Sequence, residues 1–106
     1  MSAFLRMYCN RLRERIGLPS DFKMEVDSST DNILVRNDNI GLGFVITKNA
    51  CIDFPISRIV REAKENIERI QKASPGEAQA AADAGHKIVK NSELRLKGET
   101  VFDRGR

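Results

Sequence analysis

Five apolar residues between Asp53 and Ala73 constrain what this chain can fold into more than any other feature. Ile56, Val60, Ala63, Ile67 and Ile70 recur at intervals of four and three, the spacing that lines one face of an α-helix. Pro55 suits the first helical turn, and Asp53 places a negative charge at the positive end of the helix dipole. Opposite charges four residues apart, Arg58 with Glu62, Arg61 with Glu65, Lys64 with Glu68, Glu65 with Arg69 and Glu68 with Lys72, mark a solvated face. Each such pair contributes only ~0.2–0.5 kcal/mol. Ile59 lies beside the stripe and widens it, which makes it a candidate contact residue for a partner. A helix of this amphipathicity needs an apolar surface to cover, and the rest of the chain has to supply it.

That surface is predicted in residues 22–47. Phe22, Met24 and Val26 alternate with Lys23, Glu25 and Asp27, Ile33-Leu34-Val35 forms a second apolar run, and residues 42–47 form a third. Turn-forming residues separate them, Asp27 to Asn32 and Asn37 to Asn39, so an antiparallel meander is expected. Ala50–Ile52 reads as a short extended link. Ahead of the meander, Ser2 can cap a helix with apolar positions Phe4, Leu5, Tyr8, Leu12 and Ile16, stopped by Gly17-Leu18-Pro19. Past the long helix, Ser74-Pro75-Gly76-Glu77 has the order of a capping box. It opens a second helix of small residues, Ala78, Ala80, Ala81, Ala82, Ala84 and Gly85, expected to run to Val89 or Lys90. Asn91-Ser92 ends it, and the alternation of Leu94, Leu96, Thr100 and Phe102 suggests a terminal strand or short hairpin. The expected fold is α+β, a single domain over residues 1–106: N-terminal helix, small antiparallel meander, long amphipathic helix, small-residue helix, terminal strand.

The length of 106 residues and a 41% hydrophobic composition suffice for one packed core. No apolar run approaches the ~18 residues of a membrane span, so no membrane association is expected. Cys9 and Cys51 have apolar neighbours and do not make a disulfide framework, which suits a reducing, cytoplasmic setting. Charge is unevenly spread: residues 1–20 hold four arginines against one glutamate, whereas residues 21–55 hold three basic groups against six acidic ones. Arg6, Arg11, Arg13 and Arg15 therefore stand out as partner-binding candidates.

Chemistry is harder to place. Two Cys and one His fall short of a structural zinc set. Asp27 to Asp38 partly matches a calcium-loop spacing, but Asn32 stands where glycine is needed, Asp38 where glutamate is needed, and the flanks read as strands. A nucleophilic thiol would have to be Cys9 or Cys51 working with His86, and both cysteines look like packing residues. Gly41 and Gly43 lead into a strand, unlike the glycines of a phosphate cradle. Ala81 and Gly85 share the spacing of a helix-turn-helix, although His86 and Asn91 occupy places that are usually apolar there. No catalytic residue, metal or cofactor is expected. The expected function is a small non-enzymatic cytoplasmic binding or regulatory module, an inhibitor or adaptor, acting through protein–protein contacts. A homodimer is expected to form at the Ile59 edge of the long helix with part of helix 75–90. Two alternatives remain: a DNA- or RNA-binding regulator using the Arg-rich first helix or a degenerate helix-turn-helix at 74–95, and a small thiol-dependent enzyme.

Overall fold

In the computed structural model, which describes residues 3–73 and 88–94, the elements follow the alternation just read. Helix α1 (Ala3–Ile16) leads into strands β1 (Phe22–Val26), β2 (Ile33–Asn37) and β3 (Leu42–Ile46). Helices α2 (Lys48–Asp53) and α3 (Ile56–Lys72) follow, then strand β4 (Val89–Lys90) and a 3₁₀ turn at Asn91–Glu93. The sheet is antiparallel with order β1-β2-β3-β4. This is an α+β fold with an N-terminal helix and a small meander, as expected. Ser2, the capping box at 74–77, His86 and the alternating residues 96–102 lie outside the described residues.

Register explains the core. Phe22, Met24, Val35, Ile33, Phe44, Leu42 and Ile46 fall on one face, because opposed residues of paired strands share a face. Helices α1, α2 and α3 cover it with Cys9, Leu12, Ile16, Ala50, Cys51, Ile59, Ala63, Ile67 and Ile70, and Ile88 joins the cluster. The opposite face carries Lys23, Glu25, Arg36, Leu34 and Val45, of which Leu34 and Val45 form a smaller cluster with Val89 and Leu94.

Local chemistry sets the boundaries. Gly17 takes φ +66° and closes α1 through its N–H and that of Leu18 on the Arg13 carbonyl. The Asp27 carboxylate accepts hydrogen bonds from Ser29 and Thr30 and so organises the β1–β2 turn, in which Asp31 takes φ +62°. Gly43 is needed for a different reason: a Cβ there would collide with the Val35 carbonyl oxygen and sit 3.0 Å from Asn91 Oδ1.

Three expectations are corrected. Residues 50–52 are helical, not extended, because the Thr47 hydroxyl accepts from the Ala50 N–H and starts α2. Val89 and Lys90 pair with β3, opposite Gly43 and Leu42, instead of ending a helix. Third, the buried face of α3 is turned from the predicted stripe: Ile59 is fully buried, whereas Ile56 and Val60 are half-buried. Ile59 therefore offers no contact surface, and the dimer seam expected there has lost its central residue.

That turn brings Asn66 into the buried face beside Ile59, Ala63 and Ile70, at 0% exposure and with neither polar atom of its amide hydrogen-bonded. An unpaired buried amide costs more than an apolar group of similar size. Asn66→Leu is thus expected to raise unfolding free energy by about 1–2 kcal/mol in urea titrations. A loss of stability on that substitution would contradict this packing.

Candidate binding surface

Helix geometry divides the arginines predicted as a single group. At 3.6 residues per turn, Leu5, Cys9, Leu12 and Ile16 form the buried stripe of α1. Phe4, Tyr8, Arg11 and Arg15 repeat the same four-three-four spacing one residue earlier and so form the neighbouring flank. Arg6 and Arg13, seven residues apart, lie on the opposite flank. Arg13 is already engaged: its guanidinium donates to Asn10 Oδ1 and the Met24 carbonyl oxygen, both at 2.8 Å. All four arginines are exposed, but the structure brings together only Arg11 with Arg15 and Arg6 with Arg13.

The first flank also carries exposed apolar surface. Phe4 is 51% and Met7 67% exposed, and the Phe4 ring packs at 5.7 Å from that of Tyr8. Phe4, one of the apolar positions of the predicted helix, sits a full 100° from Leu5 and stands outside the core. Leu5 and Cys9, at four-residue spacing, mark the buried stripe instead, with Cys9 the packing residue its apolar neighbours suggest. Ile52, the residue after Cys51 on α2, is likewise exposed.

The two thiols divide between the flanks: Cys51 meets the Tyr8 hydroxyl, and Cys9 lies beside Arg13. Cys9 and Cys51 are free and buried. Burial pushes the Cys51 thiol up to about 11, against a lowering influence from the Tyr8 hydroxyl and a smaller raising one from Cys9. Burial likewise raises Cys9, partly offset by the Arg13 guanidinium, whose Nη2 lies 3.8 Å from Sγ. Desolvation raises Tyr8 in the same way, and its hydroxyl meets the Cys51 thiol without a hydrogen bond of regular geometry. At neutral pH both thiols are protonated, the form that neither attacks a carbonyl nor binds a metal.

Concavities among the described residues add to this surface. An open groove of 740 Å³ runs between the end of α1 and β1, lined by Arg13, Glu14, Leu18, Pro19, Lys23 and Met24 among others. A second, of 450 Å³, lies on the outer sheet face among Glu25, Leu34, Arg36, Asp38, Asn91 and Leu94. Its charges are paired: Arg36 bonds with Glu25 and, at 3.1 Å, with Asp38, and the Glu25 hydrogen bond holds the guanidinium protonated even more firmly than usual. Among the described residues no three His, Cys, Asp or Glu side chains converge as metal ligands would, and no helix is long and apolar enough to cross a membrane. Of the segment with helix-turn-helix spacing, residues 88–94 are strand and 3₁₀ turn where a recognition helix would be required. The rest of that segment lies outside the described residues. The chain matches no protein-family model, no curated protein and no solved structure.

The thiols give a test of this packing. A buried acid whose folded pKa is raised stabilises the fold fully below its unfolded value, here ~8.5, and that contribution is lost as pH rises through the folded value. Denaturant stability should therefore fall from about pH 8.5 to 9.5, where an unfolded tyrosine, with pKa ~10, is still mostly protonated. Cys51→Ala should flatten that fall. An unchanged slope would show that the thiol is not held in a desolvated site.

Proposed function

We propose that this protein is a non-enzymatic binding module that docks an acidic, amphipathic segment of another protein on the outer flank of α1. The observation that carries this reading is the exposed pair Phe4 and Met7 beside Arg11 and Arg15 on one flank. Apolar anchors with an arginine rim are the usual makeup of energetically important contact patches. Arg11 and Arg15 outnumber the exposed Glu14 beside them, so the rim is net basic and a complementary partner carries carboxylates, which would also speed its encounter. Protonated, buried thiols support a non-enzymatic reading, since a thiol-dependent enzyme needs an accessible thiolate. The cytoplasmic setting suits two cysteines kept reduced.

Nucleic acid is the weaker reading on the same surface. With Arg13 bonded to the Met24 carbonyl and Arg6 on the far flank, the flank presents two arginines, too few to neutralise more than ~2 phosphates.

Affinity capture from native host extract, with and without nuclease, tests the proposal. A protein retained by the wild type should be lost by Phe4→Asp with Met7→Asp, and by Arg11→Glu with Arg15→Glu. It should be retained by Lys64→Glu, on the exposed face of α3. Equal retention by all variants, or loss on nuclease treatment, would overturn the docking role of α1.

A further inference from the structure

Strand β1 stands at one end of the sheet, and among the described residues it pairs on one side only. Which of its backbone groups are free follows from alternation. The Asp27 N–H donates to the Asn32 carbonyl at 2.8 Å, so the backbone of Asp27 points toward the β2 side. Lys23 and Glu25 share that direction, whereas Phe22, Met24 and Val26 direct their N–H and C=O groups outward. Two contacts agree. The Phe22 N–H turns away from β2 to the Pro19 carbonyl at 3.0 Å, and the Met24 carbonyl is reached from outside by the Arg13 guanidinium. The 740 Å³ groove runs along this outward edge, with Lys23, Met24 and Glu25 on one wall and Arg13 and Glu14 on the other.

An unpaired edge is a template for another strand. The side chains of β1 say which strand fits. Read outward from Met24, the segment Phe22-Lys23-Met24-Glu25-Val26 is complementary to its own reverse. Antiparallel pairing of two copies centred on Met24 puts Lys23 of each copy opposite Glu25 of the other, and Phe22 opposite Val26. Oppositely charged and apolar cross-strand neighbours are both stabilising. The outward Met24 N–H and C=O groups would then exchange two hydrogen bonds across the two-fold axis. Lys23 and Glu25 are both exposed, whereas Phe22 and Met24 are buried against the helices, so the apolar side chains of both copies stay on the covered face.

We propose that the β1 edge is a self-association site, through which two copies join into one continuous antiparallel sheet with Met24 at the two-fold axis. The occupant of the groove is a second copy of this chain. The surface is distinct from the α1 flank of Phe4 and Arg11, so either can hold without the other. Arg13 competes for the Met24 carbonyl and limits the strength of the association.

Sedimentation equilibrium of the full chain over a range from about ten to several hundred micromolar tests this, with circular dichroism confirming that each variant is folded. The wild type should show a reversible monomer–dimer equilibrium. Lys23→Glu places a carboxylate opposite Glu25 of the second copy, twice per dimer, and should weaken association about tenfold. Glu25→Lys should do the same. The double variant, Lys23→Glu with Glu25→Lys, restores opposite charges in this register and should recover most of the lost affinity, although it breaks the pairs that Lys23 and Glu25 make with Asp38 and Arg36 within the chain. Arg13→Ala should tighten the dimer. A monomer at every concentration overturns the proposal. So does a dimer indifferent to the single charge changes, or a double variant weaker than either single one.

Discussion

The inner face of α3 against the sheet is the contact on which the other elements depend. Ile59, Ala63, Ile67 and Ile70 meet a sheet face built from Phe44, Leu42, Ile46, Val35 and Ile33, most of them without solvent contact. At ~25 cal/mol per Å² of apolar surface, burying each large side chain contributes about 1.5–3 kcal/mol, well above any of the surface ion pairs. The remaining pieces follow from that layer. α1 fills the space beside α3 and over β1, and the turn of α2 closes it with Ala50 and Cys51. A meander this short would be marginal without its helical cover.

Much of this was legible in the chain, and the misses share a cause. Strand β1 showed itself by alternation, β2 and β3 by short apolar runs between turns, and Gly17 marked the end of α1 by the left-handed conformation it adopts. The rotation of α3 did not show, because two stripes overlap in its sequence. Ile56, Val60, Ala63, Ile67 and Ile70 are all apolar, whereas the stripe that is fully buried, Ile59, Ala63, Asn66 and Ile70, is interrupted by an amide. A polar residue in a core position hides the true face from any reading based on side-chain type. In α1, Cys9 completes the buried stripe, and Phe4, the more hydrophobic residue, stands outside it because its place on the helix faces away from the sheet. Val89 and Lys90 pair with β3 through backbone groups, which composition does not encode. Thr47 follows an apolar run and reads as the end of a strand, yet its hydroxyl caps a helix over the next six residues.

The candidate surface was legible only in part. A count of arginines in residues 1–20 singles out α1, but the count carries no direction, and the helix sends the four side chains to two flanks. One pair sits with Phe4 and Met7 and is free to meet a partner. The other includes Arg13, whose guanidinium serves the molecule's own edge strand. The edge of β1, which among the described residues pairs with no strand on its outer side, has no signature in residue type; it becomes visible only once the order of the strands is known. Positive charge on this protein is therefore better described as two surfaces with different chemistry than as one basic patch.

Because Ile56 and Ile59 carry the same side chain on the same helix, comparing them isolates burial from chemistry. Urea unfolding of Ile59→Ala and Ile56→Ala measures the difference directly. With Ile59 fully buried and Ile56 half-buried, Ile59→Ala should cost about 3–5 kcal/mol and Ile56→Ala no more than about half as much. A larger loss at Ile56 than at Ile59 would mean that α3 presents the other stripe to the sheet.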